Sequence, residues 1–155
     1  ALKEANKIGW NVTMGGLTPT FTQYVPDLAQ KAGMSADGFY AVGQAPYAYE
    51  DSPLPTVREW FKRHVEWFGK NPDQPTTAGY TALTFFELAA KKVGKDLTRE
   101  KFIDAMETFD KEPDRFFGGG TWTFNKDSHQ GAYDAMINQV KNNRWVAITE
   151  PLTYR

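Results

Sequence analysis

The first 43 residues constrain the fold most, because helix-like and strand-like segments alternate there with glycine stops and short connections. Residues 1–8 read as the body of an amphipathic helix, closed by Gly9 in the position after the last turn. Trp10, Asn11, Val12, Thr13 and Met14 form a short strand candidate that runs into Gly15 and Gly16. A helix is expected over residues 21–32, weakened near its start by Pro26 and stopped by Gly33. Residues 39–42 (Phe, Tyr, Ala, Val) are rich in strand formers and stand between Gly38 and Gly43. Helix, strand, helix, strand at this spacing is the pattern of a parallel α/β layer.

The character changes from Gln44 to Pro55, where prolines, Glu50, Asp51 and two tyrosines interrupt any hydrophobic period. This stretch is a surface loop or a passage between lobes. Three helices follow. Thr56 and Glu59 have the spacing of a capping box, ahead of an apolar stripe of Val57, Trp60, Phe61, Val65 and Phe68 that ends at Gly69. A second helix is expected from about Thr76 to Val93, burying Ala82, Phe85, Phe86, Ala89, Ala90 and Val93. The third starts with Thr98 as its cap and buries Phe102, Ile103, Met106 and Phe109. After Gly118, Gly119 and Gly120, residues 121–125 alternate as a strand does. Residues 135–141 and 144–149 flank Asn142 and Asn143, two residues that tolerate positive φ, which predicts a hairpin.

Composition excludes several classes of chemistry. There is no cysteine, so disulfides, thiolate metal sites and thiol nucleophiles are ruled out. A net charge of −1 offers no basic footprint for nucleic acid. No apolar run approaches the roughly 18–20 residues of a membrane helix. At neutral pH the bases available are His64 and His129. His64 falls between aromatic positions of a capped helix and reads as a surface or packing residue. Ser128 and His129 are adjacent in sequence, so their side chains diverge and make no nucleophile–base pair. The acids at Glu50–Asp51 and around Glu112 and Asp114 lack the flanking pattern of a calcium loop. The three glycines at 118–120 precede a strand with no Lys-Ser/Thr after them, so they form a turn and not a phosphate loop. Neither a catalytic constellation nor a cofactor or metal site is expected.

Taken in order, these segments resemble the second half of the type I periplasmic solute-binding proteins that serve branched-chain amino-acid-type ABC transporters. The resemblance rests on the helix–strand unit from Ala1 to Trp10 and on Thr13-Met14-Gly15-Gly16 followed by Gly38-Phe39-Tyr40-Ala41-Val42. It continues through Gly79-Tyr80-Thr81-Ala82-Leu83 and Gly120-Thr121-Trp122-Thr123-Phe124-Asn125, and ends on the hairpin from Gln139 to Val146. It covers essentially the whole chain.

That resemblance implies a three-layer α/β fold with a mainly parallel sheet, of which this chain is the C-terminal half and spans parts of both lobes. Residues 1–43 would belong to lobe 2, residues 44–130 to the returning part of lobe 1, and residues 131–155 to a hinge crossing and a C-terminal hairpin on lobe 2. An opening in mid-helix fits a chain that is part of something longer, with an N-terminal half or a second chain as partner and a signal peptide in the precursor. The implied function is capture of a small organic solute between two lobes and its delivery to an ABC permease, in the periplasm or at the cell surface, without catalysis. The alternative is a ligand-sensing receptor module of the same fold.

The positions that match the family's cleft are Gly15, Gly16, Leu17 and Thr18, then Gln44, Pro46 and Tyr47, with Thr76 and Thr77 as a third wall. Pro46 and Tyr47 have an equal claim to shaping the hinge alone. Amino-acid-binding members often carry an acid just after the Met-Gly strand end, where Leu17 stands here. A buried ammonium without its carboxylate costs several kcal/mol. The expected solute is therefore a carboxylate, aromatic acid or amide before an amino acid, with a branched-chain amino acid as the alternative.

Overall fold

The computed structural model describes residues 1–114 and 116–154. The chain separates into two compact units, one of residues 1–47 with 135–152, the other of residues 48–134 with the tail from Thr153.

The first unit holds α1 (Leu2–Lys7), β1 (Gly15–Gly16), α2 (Tyr24–Lys31), β2 (Tyr40–Gly43), most of β5 and β6 (Arg144–Ala147). Here β5 spans Asp134–Lys141. Its sheet runs β1-β2-β5-β6, and a short β7 (Leu152–Thr153) also pairs with β5. Strands β1 and β2 are parallel, with Gly15 opposite Tyr40, while β2–β5 and β5–β6 are antiparallel. Parallel neighbours need a crossover, and this segment supplies one through α2. Among the described strands of this unit β1–β2 is the parallel pair, and the antiparallel β5–β6 pair is joined by the two-residue turn at Asn142 and Asn143.

The strand expected at residues 10–14 is not formed. Pairing begins where the Met14 carbonyl accepts the Tyr40 N–H at 2.9 Å. Because Gly15 faces the first residue of β2, residues 10–14 run ahead of the strand that could have paired them. The helix expected from residue 21 starts at Tyr24.

The core of this unit is Phe21, Ala29, Ala36, Ala41, Val140 and Trp145, with Leu2, Val25, Phe39 and Tyr47 packed against it. Along β5 the inward positions Met136, Asn138 and Val140 alternate with half-buried ones, the period of a strand with one face on a core. Asn142 and Asn143 have φ of 52° and 62° and close the β5–β6 hairpin as a type I′ turn. A β-branched residue is strained in that region, so Asn142→Val is expected to cost about 1–2 kcal/mol. A urea midpoint unchanged by the substitution would show that the turn does not hold the hairpin.

The second unit holds α3 (Pro55–Phe68), α4 (Gln74–Val93), α5 (Arg99–Met106), and the antiparallel pair β3 (Glu112–Pro113) and β4 (Thr121–Trp122). The capping box expected at Thr56 is absent. Helix α3 starts two residues earlier, at Pro55 with Leu54 at the cap position and no side-chain cap, and the Thr56 hydroxyl donates to the Phe116 carbonyl instead. The helix stops at Gly69, which has φ 65°. Its buried stripe is Val57, Trp60, Phe61 and His64. His64 takes the last place of the stripe because its Nδ1 lies 3.0 Å from the Lys70 carbonyl, which gives a buried imidazole a partner.

Helix α4 buries Thr81, Phe85 and Ala89, whereas Ala82 and Phe86, expected inside, are exposed. The helix is apolar on two adjoining faces, and the described residues cover one of them. Thr98 caps α5 as expected, accepting the Lys101 N–H. Phe85, Ala89, Ala105 and Phe109 form the core between α4 and α5, and Trp122 and Phe124 close over it.

Candidate functional site

The two strand ends singled out in the sequence leave the sheet on the same side. Since β1 and β2 are parallel neighbours in register, the segment after β1 (Leu17, Thr18) and the segment after β2 (Gln44, Pro46, Tyr47) depart from one carboxyl edge. In open α/β sheets this is the edge at which ligands bind.

Local packing explains the residues found there. A side chain on Gly16 would run into the hydroxyl and methyl of Thr20. Thr20 is that close because residues 18–20 form a single 3-10 turn that folds back over the strand end. The Leu17 carbonyl anchors the turn, accepting from the Thr20 hydroxyl at 2.7 Å and its N–H at 2.8 Å. Only the backbone of Leu17 is engaged in that way; its side chain is 77% exposed. Thr18 is exposed beside it.

At the end of β2 a side chain on Gly43 would lie 2.5 Å from the Phe21 ring and 3.3 Å from Asn138 Nδ2. Gln44 beyond it is exposed, and Pro46 and Tyr47 are half-buried. The Tyr47 hydroxyl accepts the Gln23 N–H at 3.1 Å, and its ring meets Phe21 edge-on at 5.4 Å. Phe21 therefore packs under the end of β2, as Thr20 does at the end of β1, and Tyr47 is fastened to the core beside Phe21.

Thr76 and Thr77 lie in the other unit, in the first turn of α4. Asp73 caps that helix. Its carboxylate accepts the Thr76 N–H at 3.2 Å and the Thr76 hydroxyl at 2.8 Å, and its carbonyl accepts the Thr77 hydroxyl at 3.2 Å. Both hydroxyl protons thus serve the cap, leaving each oxygen as an acceptor.

Asn138 was not singled out from the sequence. It is fully buried on β5 opposite Ala41; its Nδ2 donates to the Met136 carbonyl at 3.3 Å, and its Oδ1 has no hydrogen-bond partner among the described residues. The signal available was an amide at an inward position of an alternating strand.

The remaining polar candidates have other partners. The Ser128 hydroxyl lies 2.7 Å from the Tyr133 hydroxyl, and His129 Nε2 lies 2.9 Å from Glu107. Among the described residues no group of three His, Asp or Glu is placed to hold a metal, and no helix is long and apolar enough to cross a membrane.

No curated protein sequence matches the chain. Among solved structures it is similar to a branched-chain amino-acid ABC transporter protein from Thermus thermophilus with bound valine, at 21% identity and a TM-score of 0.70, over 98% of this chain and 42% of that one. It is similar to a fatty acid ABC transporter substrate-binding protein from Thermomonospora curvata, at 18% identity and a TM-score of 0.78, over 99% of this chain and 40% of that one. A third likeness is to an ABC transporter solute-binding protein from R. palustris in complex with benzoate, at 14% identity and a TM-score of 0.65, over 98% and 40% of the two chains. The chain thus spans about two-fifths of the length of the structures it matches, and its α/β fold is that part of the type I periplasmic-binding-protein fold. Residues 1–144 match the family model described as periplasmic binding protein, and the chain belongs to that family.

Proposed function

We propose that the chain is part of the extracytoplasmic solute-binding component of an ABC transporter, and that it binds its solute without turning it over. The observation that carries the proposal is the shared carboxyl edge of β1 and β2. There a glycine pair brings backbone close, Leu17 and Gln44 stay exposed, and Phe21 and Tyr47 hold the support beneath. Family membership supplies the class of activity. Residues 1–47 and 135–152 belong, on this reading, to lobe 2, and residues 48–134 to lobe 1. The solute contacts are backbone groups of Gly15 and Gly16, the Leu17 side chain, the Thr18 hydroxyl, and Gln44 and Pro46. Thr76 and Thr77 enter only through the resemblance.

The solute class proposed is a small organic carboxylate. Valine and benzoate, bound by two of the similar proteins, share a carboxylate and differ in the ammonium. Leu17 gives an ammonium no partner. The other partners proposed are the ABC permease and the part of the polypeptide, or a second chain, that completes the length of the relatives. The place proposed is the periplasm or the cell surface.

A thermal-shift screen of the intact protein against aliphatic carboxylates, aromatic acids, amides and amino acids tests this. A ligand held at about 100 times its Kd stabilises by about 2.7 kcal/mol, which raises Tm by several degrees. Carboxylates are expected to give that rise and to be recovered chemically unchanged. A ligand converted to product, or a panel with no shift, would overturn the reading.

A further inference from the structure

Asp134 is a buried carboxylate that the solute-binding reading does not use. It stands at the last position of the second unit before the chain passes to Ala135, and the chain returns to that unit at Thr153. Only 9% of Asp134 is exposed. Its Oδ2 accepts both the Thr121 N–H at 2.7 Å and the Thr121 hydroxyl at 2.9 Å. Its Oδ1 accepts the Thr153 hydroxyl at 2.5 Å. One carboxylate thus joins three segments that are distant in sequence: β4, the start of β5 and the C-terminal tail.

The neighbourhood is built around this contact. A side chain on Gly120 would overlap the Asp134 side chain, so the last of the three consecutive glycines leaves room for the carboxylate to reach Thr121. The hydrogen bonds hold the carboxyl below the ordinary aspartate range, the Thr153 hydroxyl contributing most and the Thr121 N–H next, against the opposing effect of burial. Beyond Thr153 the tail continues along the same segment. The Tyr154 N–H donates to the Tyr133 carbonyl at 3.3 Å, and the Tyr154 hydroxyl accepts from Gln130 Nε2 at 2.7 Å. Thr153 and Tyr154 are otherwise exposed, so little apolar burial holds the tail in place.

We propose that Asp134 is a positioning residue that fastens the returning tail to β4 and to the start of β5. A hydrogen bond to a charged acceptor is stronger than a neutral one. The Asp134–Thr153 bond adds such an acceptor to the pairing of β7 with β5 and to the Tyr154 hydrogen bonds that also hold the tail. The inference stands on this geometry and does not depend on which solute is bound, or on whether one is.

Amide hydrogen exchange in the intact protein tests it, with Thr153→Val as the diagnostic variant. Valine keeps the shape of threonine and removes only the donor to Asp134. The Tyr154 amide is expected to exchange about tenfold faster, while the Thr121 amide, held by the other carboxylate oxygen, changes by less than about twofold. Thr153→Ser, which restores a hydroxyl, is expected to bring Tyr154 back toward its original rate. Asp134→Ala releases both arms and speeds both amides. Asp134→Asn is a poorer probe, since its amide can donate to Thr153 and reverse that bond. The proposal is overturned if Thr153→Val leaves Tyr154 exchange unchanged. It is equally overturned if Tyr154 and Thr121 accelerate together, because the whole unit would then have loosened.

Discussion

Phe21→Ala is expected to destabilise the protein by about 3–5 kcal/mol, toward the upper end of that range. Phe21 is 2% exposed and lies at the centre of the core of the first unit. Its ring meets Tyr47 at 5.4 Å and Trp145 at 5.2 Å, both edge-on, and each such pair contributes about 0.5–1.5 kcal/mol beyond the area it buries. The cost of a large-to-small change depends on whether neighbours relax into the space. Here they are held. The Trp145 indole N–H donates to the Thr22 carbonyl at 2.9 Å, and the Tyr47 hydroxyl accepts the Gln23 N–H at 3.1 Å. Moving either ring inward breaks a hydrogen bond in a partly buried setting, which costs about as much as the contact regained. Urea denaturation followed by tryptophan fluorescence measures the loss. Tyr24→Ala, on the exposed side of α2 where the ring is 66% accessible, is the control and should change stability by less than about 0.5 kcal/mol. Equal effects from the two substitutions would mean that Phe21 is not the keystone of this core.

The contrast between Phe21 and Tyr24 also shows what a sequence reveals and what it withholds. Periodic elements with good stops were legible: α3 ends at Gly69, Thr98 caps α5, and the hairpin turns on Asn142 and Asn143, because each feature is decided by local backbone chemistry. Non-local partners were not. Residues 10–14 have a strand-like composition, but a strand exists only beside another, and the register places β2 further along. Thr56 and Glu59 have the spacing of a capping box, yet Pro55 extends the helix past them and the Phe116 carbonyl, 60 residues away, takes the hydroxyl. On α4 the pattern showed an apolar helix but not which of its two adjoining faces the rest of the unit would cover. For the candidate site, the alternation of glycine stops led to both strand ends, and the parallel pairing then set them on one edge. What the sequence could not show is that Tyr47 is held by Gln23 and Phe21, or that Asn138 lies fully buried nearby. Such contacts join residues 24 and more positions apart, and no local rule encodes them.

Leu17→Glu is expected to shift solute preference toward ammonium-bearing ligands by tenfold or more while leaving the fold intact. The Leu17 side chain is 77% exposed, so a glutamate there loses little packing, and the turn that follows is anchored by the Leu17 carbonyl, which the substitution keeps. A stability change beyond about 0.5 kcal/mol is not expected. Binding is a different matter. If Leu17 lines the solute site, a carboxylate introduced there repels an anionic ligand and pairs with an ammonium. In a desolvated contact either effect exceeds the 1.4 kcal/mol that corresponds to a factor of ten. The clean measurement uses ligand pairs that differ only in the amino group, such as 4-methylpentanoate with leucine and 3-phenylpropanoate with phenylalanine, titrated calorimetrically against both proteins. The ratio of affinities within a pair cancels the contribution of the shared side chain and carboxylate. A ratio that moves toward the amino acid, with an unchanged denaturation midpoint, places Leu17 on the solute wall. A ratio that does not move removes Leu17 from that wall, and with it the argument that an α-amino acid is disfavoured.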